Sequence, residues 1–357
     1  AAVVQSYNLS FTKADKKSNQ LFSLGYYDQQ GLVKFSDFKR VSGRFNSEYK
    51  LFDDHLRIGE NISLSHSWGT SVSNNAALGG TLYEAYKFQS ITPVKNLEDE
   101  YAGNVFSDIP NPMGKLYRNK DNQDKKSRLV GNLYAELHLF DGLMFKTSFG
   151  VDYNNLYRRS FSPKYDELNA SEKLSSLSNR NAWNFNWVFT NTLTYNKTFG
   201  DHTINALLGM ESLRNRYEYF TASRDGFPSD DPNFRFLDAG DVGTQKNSGA
   251  ATEYSMVSYF GKLDYNYHDR YLVAFTLRRD GSSRLGNNKW GNFPSVSVGW
   301  RFSDEKFMKF SKKFLEDGKI RASFGITGNE AIGNYDYIYS YSPNSIYDGV
   351  GGVIPTR

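Results

Sequence analysis

The stretch "RLVGNLYAELHLFDGLMFKTSFGVDY", residues 128–153, alternates apolar and polar residues through almost its whole length. Its first half has an apolar face of Leu129, Leu133, Ala135, Leu137 and Leu139. Its second half repeats that spacing with Leu143, Phe145, Phe149, Val151 and Tyr153. A period of two residues is typical of β-strands, and Asp141-Gly142 between the halves suits a two-residue turn because Gly readily adopts a positive φ. The stretch therefore predicts one antiparallel hairpin.

The same alternation recurs along the chain and predicts about a dozen strands, most near the ~10 residues that a tilted strand needs to cross a membrane. Glu60 interrupts the apolar row of its strand. The face opposite the apolar row carries many charges, at Arg40, Arg44, Glu48, Glu136, Lys146, Asp152, Lys262, Asp264, Arg301 and Arg321. A small closed barrel would need an apolar packed interior, so these charges indicate a wet or plugged lumen.

The predicted connectors alternate between short and long. The short set is 13–19, 52–54, 141–142, 199–202, 267–270 and 304–317. The long set is 29–38, 69–127, 159–180, 221–251 and 284–293. Every second connection of an up-and-down barrel lies on one rim, and outer-membrane barrels pair short periplasmic turns with long extracellular loops. The pattern predicts an all-β fold, a transmembrane antiparallel up-and-down β-barrel with its long loops on one rim.

Composition agrees with this interpretation. The mean hydropathy is −0.62 and aromatic residues make up 16% of the chain, with no apolar run of the ~20 residues that a membrane helix needs. Aromatic residues near strand ends suggest girdles in the headgroup layer, although Tyr and Phe could instead fill the core of a soluble β protein. The 43 Lys+Arg are scattered among 39 Asp+Glu, which argues against a nucleic-acid partner. There is no cysteine, which excludes thiolate chemistry.

A family resemblance rests on two stretches near the end of the chain. They are "YFGKLDYNYHDRYLVAFTLRRDGSSRLGNNKWGNFPSVSVGWRFSDEKFM", residues 259–308, and "KIRASFGITGNEAIGNY", residues 319–335. In this order they resemble the barrel of SusC-like (SusC/RagA-type) TonB-dependent transporters of Gram-negative outer membranes. Looser matches extend the resemblance over nearly the whole chain.

The resemblance implies a barrel of about 22 strands filled by an N-terminal plug, the plugged class of large barrel. Residues 1–357 would be one part of that barrel domain, with the plug and the remaining strands outside the chain. It also implies a SusD-like surface lipoprotein that captures glycans or peptides, and energy from the TonB complex delivered through the plug. A passive porin remains an alternative, as do a barrel hydrolase and a soluble glycan-binding β protein.

No catalytic, cofactor or metal pattern is found in the sequence. The five histidines are far apart, and none has a second ligand at metal-binding spacing on a helix. Loop 223–241 gathers five aspartates that could hold a hard cation, but it does not follow the EF-hand order and is interpreted as a solvated loop. The aspartates are Asp225, Asp230, Asp231, Asp238 and Asp241.

Capture of a sugar or peptide would use exposed aromatic side chains near the long-loop rim. Strand parity puts four of the five tryptophans on the lipid-facing row, namely Trp68, Trp183, Trp187 and Trp300. Trp290 is left in a rim loop, and Tyr217, Tyr219 and Tyr254 fall on the inward row near loop ends. These four residues are the substrate-binding candidates, with loop packing as the alternative role for each.

Overall fold

The chain forms one large antiparallel sheet whose strands follow each other in sequence order. The computed structural model describes residues 2–72 and 80–338 and the residue pairs 340–341 and 355–356. The sheet has twelve strands, each paired with its neighbours in the order of the chain. They are β1 (Val4–Ala14), β2 (Ser18–Gln30), β3 (Asp37–Leu51), β4 (Leu56–Gly69), β5 (Gln123–Phe140), β6 (Leu143–Ser162), β9 (Ser176–Phe199), β10 (His202–Asp225), β11 (Lys246–Tyr267), β12 (Tyr271–Ser282), β13 (Trp290–Trp300) and β14 (Ile320–Gly325). This order confirms the predicted up-and-down topology.

The remaining elements lie in the connectors or after β14. Two small hairpins pair β7 (Tyr165–Glu167) with β8 (Ala170–Glu172) and β15 (Ser340–Tyr341) with β16 (Pro355–Thr356). The α-helices are α1 (Thr81–Lys87) and α2 (Pro112–Arg118). The 3-10 helices are Pro232–Phe234, Leu237–Ala239, Val242–Thr244, Ser283–Leu285, Phe302–Asp304 and Lys306–Lys313. In the described part of the chain no helix has both the length and the apolar character to span a membrane.

The strand register lines up the apolar rows into one continuous face, which we call the outer face. Leu133 lies opposite Phe149, and Phe149 lies opposite Phe189. These side chains are not buried by the sheet, and Leu208 for example is 64% exposed. The few buried apolar side chains of the described residues are Ala102, Phe161, Ala170, Leu177, Ala182 and Phe227. A single layer without a packed core does not fit a soluble sandwich, and an exposed apolar band suits contact with lipid.

Glu60 does lie on the outer face, within the apolar row of β4. It is paired with Ser47 of β3, which is buried and whose hydroxyl donates a hydrogen bond to the Glu60 carboxylate. The interrupted row therefore still forms a regular strand, because the polar side chain has a partner on the same face.

The connectors alternate between the two rims as predicted. One rim has the tight turns at 15–17, 52–55, 141–142, 200–201 and 268–270. The other, which we call the long-loop rim, has the connectors 31–36, 70–122, 163–175, 226–245 and 283–289. The connector 301–319 is the exception, because it lies on the short-turn rim but is long.

Several strands run further than the sequence predicts. β9 and β10 each have 24 residues and β11 has 22, more than twice the ~10 that cross a membrane. The predicted loops 159–180 and 221–251 are therefore reduced to 163–175 and 226–245. Trp290 is not in a loop, since it is the first residue of β13 and lies opposite Gly281. The ladder of paired strands continues beyond the apolar band, where apolar and polar residues no longer alternate along the sequence.

β11 rises above its neighbour β12. Its pairing with β10 extends to Lys246, but its pairing with β12 stops at Met256 opposite Ser282. The Ser255 N–H donates instead to the Ser283 hydroxyl at 3.0 Å, and the Glu253 N–H donates to the Tyr335 hydroxyl at 3.2 Å. Within the described residues the side of β11 facing away from β10 has no strand partner between 246 and 255.

Candidate functional site

The described parts of three long connectors pack together above the sheet, and we call them the loop assembly: 70–72 with 80–122, 163–175 and 226–245. A buried link between the first two is Glu167, which is 3% exposed. Its carboxylate accepts a hydrogen bond from the Asn111 N–H at 2.6 Å and another from Arg118 Nη1 at 2.5 Å. A buried carboxylate is stable only with such partners, so this contact fixes the two loops to each other.

Asn111 lies between the two prolines of the "IPNPM" segment, residues 109–113, and is the N-cap of α2. Its side-chain oxygen caps α2 by accepting from the N–H groups of Met113 and Gly114, and Pro112 occupies the first helical turn. Its side-chain nitrogen donates to the carbonyls of Val94 and Ala102 at 3.1 and 3.0 Å. Since Asn at an N-cap and Pro just after it both favour helix initiation, the local sequence explains why a short helix starts here.

Arg235 ties the third connector to the first and to strand β6. Its Nη1 donates to Asp121 at 3.2 Å, and its guanidinium lies 4.5 Å from the centre of the Phe161 ring. Phe161 packs with Leu177 and Phe227 in the hydrophobic cluster at this rim. These contacts make the long-loop rim a folded surface rather than a set of separate loops.

A cleft of about 540 Å³ opens between the three connectors. Its lining includes three tyrosines and both signs of charge: Tyr101, Tyr117, Tyr165, Arg118, Lys120, Lys164, Arg235, Glu100, Asp121 and Asp166. The Arg118 guanidinium stacks on Tyr165 at 3.8 Å, and burial raises the pKa of the Tyr165 hydroxyl. Aromatic faces beside charged and hydroxyl groups can hold a polar ligand that also presents C–H surfaces, such as a sugar or a peptide.

Tyr217 and Tyr219 lie on the inner face, the charged side of the sheet, as the parity predicts. Both contact Arg180, a residue that the sequence did not single out. Its Nη2 donates to the Tyr217 hydroxyl at 3.1 Å, and its guanidinium lies 4.1 Å from the centre of the Tyr219 ring. Partly exposed side chains held in this way can present a flat surface to the lumen.

Tyr254 is on the same inner face, where β11 places it opposite Asn215. The Arg284 guanidinium covers it at 3.8 Å, and Arg284 Nε donates to Asn334 at 2.8 Å. Asn334 in turn donates to Thr252 at 2.6 Å. Tyr254 therefore belongs to a local network that joins the segment after β14 to the sheet.

Trp290 points to the opposite side from the three tyrosines. The register aligns it with Gly281 and, across β12, with Val257 of the outer face. Its ring stacks on the Tyr259 ring with 6.2 Å between the ring centres, and the Arg279 guanidinium lies 5.1 Å from the centre of the Trp290 ring. The expectation of a rim-loop tryptophan is wrong, because the ladder extends to Trp290 and places it in the outer aromatic girdle.

The "RRDGSSR" motif divides between the two faces. On the inner face Arg278 donates to Ser258 at 2.9 Å and to Asp280 at 2.7 Å, and its Nη2 lies 3.8 Å from Glu211. On the outer face the Trp290 ring lies directly over Gly281, where an added Cβ would meet the ring at 2.8 Å. The motif therefore combines an ion network on the inner wall with a close ring contact on the outer wall.

Asp225, Asp231 and Asp241 of loop 223–241 interact with neighbouring groups of the protein. Asp231 and Asp241 each cap a 3-10 helix, accepting from Asn233 and Gly243 N–H groups at 2.8 Å. Asp225 lies 3.4 Å from Lys246. Among the described residues no three His, Cys, Asp or Glu side chains come together in a way that could hold a metal ion.

Known proteins similar to this chain include TonB-dependent receptors and a peptide transporter. No model of a known protein family matches the chain. It is 29% identical over 358 residues to a TonB-dependent receptor of Formosa agariphila, covering 99% of the chain and 33% of the receptor. It is 28% identical over 377 residues to the TonB-dependent receptor SusC of Bacteroides thetaiotaomicron, covering 97% and 36%. The structure of the RagAB peptide transporter matches with a TM-score of 0.80 at 24% identity, covering 99% of this chain and 40% of that chain. The chain thus spans about a third of the length of these curated relatives.

Proposed function

We infer that this chain, which belongs to the SusC-like TonB-dependent receptors, forms part of the wall of an outer-membrane nutrient importer. The observation that carries this proposal is the twelve-stranded meander with an exposed apolar outer face and a charged inner face. Lys146 and Glu136, paired at 2.8 Å on the inner face, are typical of a wall that encloses water or a polar plug.

The partners follow from the family. We propose that the full-length protein has a plug domain, draws energy from the TonB complex through that plug, and works with a SusD-like lipoprotein in the outer membrane of a Gram-negative bacterium. The lipoprotein would dock on the long-loop rim, where the loop assembly offers a surface already held by buried contacts such as Glu167 with Arg118. A preformed surface loses little conformational entropy on binding.

The ligand would be a glycan or a peptide, and the protein would move it without changing it chemically. Two groups of residues support binding of such a ligand. The cleft of the loop assembly offers Tyr101, Tyr117 and Tyr165, and the inner face offers Tyr217, Tyr219 and Tyr254. The position of Trp290 on the outer face favours contact with lipid over contact with a ligand.

The test uses the full-length receptor in its own host, growing on a defined oligosaccharide or oligopeptide mixture as the nutrient. We expect uptake to be lost when either the TonB system or the neighbouring lipoprotein is deleted, with the barrel still assembled. Unchanged uptake in both strains would contradict active import and support the passive porin. Conversion of the nutrient by the purified receptor would instead support a barrel hydrolase.

A further inference from the structure

The connector 301–319 is unusual for its rim. The other turns at that rim within the described residues are tight, whereas this connector contains two 3-10 helices, Phe302–Asp304 and Lys306–Lys313. Its two ends meet in the sheet, where Trp300 pairs with Ile320. A hairpin needs only a few residues to reverse direction, so the additional chain is not required for the turn.

The start of the connector is fixed to the wall by Glu305. Its Oε1 accepts hydrogen bonds from the Tyr271 hydroxyl at 2.5 Å and from the Trp300 indole at 3.2 Å, and its Oε2 lies 3.6 Å from Arg270. At the far end Asp317 lies 3.4 Å from Arg301 Nε. The segment between them is held in place at both ends, so its exposed side chains have a defined direction.

Exposed phenylalanines and lysines of this segment lie in two parallel rows. Phe307 and Phe310 are 60% and 71% exposed, and Phe314 beyond the helix is 77% exposed. Lys306 and Lys309 are also exposed and make no ion pair within the described residues. Positions three apart line up on a 3-10 helix, so the phenylalanines and the lysines form adjacent ridges. An apolar ridge beside a cationic ridge is typical of a segment that lies in a membrane surface.

The phenylalanine ridge joins the outer aromatic girdle. The Phe307 ring lies 6.3 Å from the Trp300 ring, which is itself 6.2 Å from Phe302. Trp300 and Ile320 belong to the apolar row that faces lipid. The segment therefore begins where the lipid-facing band ends, at the rim with the short turns, which is the periplasmic rim in barrels of this kind.

We propose that residues 305–314 lie in the headgroup layer of the periplasmic leaflet and bind anionic phospholipid there. The phenylalanines insert beside the acyl chains, and the ammonium groups of Lys306 and Lys309 contact headgroup phosphates. Charge complementarity supports this occupant, since neither lysine has an acidic partner in the described part of the chain and anionic headgroups attract cationic side chains near a bilayer surface. The proposal rests on the outer-membrane location given under the proposed function.

The first experiment measures depth with a spin label on the full-length receptor in nanodiscs of phosphatidylglycerol. The label is placed at a single cysteine through Phe310→Cys, and the control through Lys16→Cys lies in the turn 15–17 on the same rim. We expect the label at position 310 to be more accessible to oxygen than to a water-soluble nickel chelate, and the control label to show the reverse. Equal nickel accessibility at both sites would overturn the proposal, as would a label reached by neither reagent because protein covers it.

The second experiment measures lipid selectivity. Lys306→Gln with Lys309→Gln should lower the preference for phosphatidylglycerol over phosphatidylcholine by roughly tenfold, since each basic residue near the surface contributes several-fold. Lys16→Gln with Lys17→Gln removes the same charge from the same rim and should leave the preference unchanged. Equal preference in the two double variants would overturn the proposal. Migration of unheated samples verifies barrel assembly, and uptake that still depends on TonB would show that the importer function stands even if the lipid contact fails.

Discussion

At the scale of single residues, the turn 52–55 shows an ion pair that stabilises an unfavourable backbone conformation. Phe52, Asp53 and Asp54 all have positive φ values, of 53°, 54° and 70°. Aspartate tolerates this region better than most residues, while an aromatic residue does not. Arg57 compensates by donating from Nε and Nη2 to the two carboxylate oxygens of Asp54, each at 2.6 Å. This hydrogen-bonded pair lowers the pKa of Asp54 from 3.8 to about 2.

The lowered pKa gives the turn a defined dependence on pH. Because the folded pKa of Asp54 is below its unfolded value, its stabilising contribution is complete above about pH 4 and is lost as the pH falls through about 2. We expect Asp54→Asn to lower the free energy of unfolding at neutral pH, with a difference from wild type that shrinks across this window. Urea unfolding at several pH values checks this. Asp53→Asn is the control, and a difference for Asp54→Asn that is independent of pH would contradict the assignment.

At the scale of strands, one face of each strand contacts lipid and the other faces the lumen. On β6 Phe149 points outward between Leu133 and Phe189, while Ser148 points inward between Tyr134 and Thr190. The side chains alternate along the strand, so the two neighbours meet lipid and lumen respectively. Introducing a charge therefore lowers the stability of the barrel by a different amount at one residue than at the next.

We expect Phe149→Arg to destabilise the barrel by about 2–4 kcal/mol if the residue lies near the bilayer midplane. Ser148→Arg, one residue away, should cost much less because its side chain reaches the polar lumen. Refolding of the full-length receptor into lipid vesicles, followed in urea, measures both. Equal costs for the two variants would show that the outer face does not meet hydrocarbon.

At the scale of the whole molecule, the long-loop rim depends on contacts between distant parts of the chain. Glu167 and Arg118 are both largely buried, with side-chain exposures of 2% and 12%. Removing one partner of a buried pair leaves the other charge desolvated without compensation, at a cost of about 3–5 kcal/mol. This cost falls on the loop assembly, because the sheet has its own ladder of hydrogen bonds.

Glu167→Ala should therefore open the loop assembly without unfolding the barrel. We expect rapid protease cleavage in the connectors 70–122 and 163–175, with the strands still resistant. Asp166→Ala is the matched control, since its pair with Lys173 at 3.0 Å is exposed and contributes little. Limited proteolysis with mapping of the cut sites distinguishes the two. Resistance of Glu167→Ala equal to that of the control would show that this ion pair does not hold the loops.

The sequence predicts the strands well within the lipid-facing band, where outward positions are apolar, and less well above the membrane. On β10 the apolar alternation stops after Met210, because Arg214 and Arg216 follow on the outer face, yet the ladder continues to Asp225. Arg214 is stabilised there by Glu253 at 3.0 Å. The pairing of Glu167 with Arg118 could not be predicted either, since local patterns contain no information about which loops meet.

Between Lys246 and Thr252, backbone amides of β11 on the side that faces away from β10 are open to water. The N–H groups of Glu253 and Ser255 point away from β10, so by strand alternation those of Asn247, Gly249 and Ala251 do so as well. Within the described residues no strand lies on that side, whereas the intervening amides face β10. Amide protons between Lys246 and Thr252 should therefore exchange with deuterium in alternation, fast at Asn247, Gly249 and Ala251 and slow at the residues between them. A ligand or partner that settled against this edge would abolish the alternation by slowing the fast set alone.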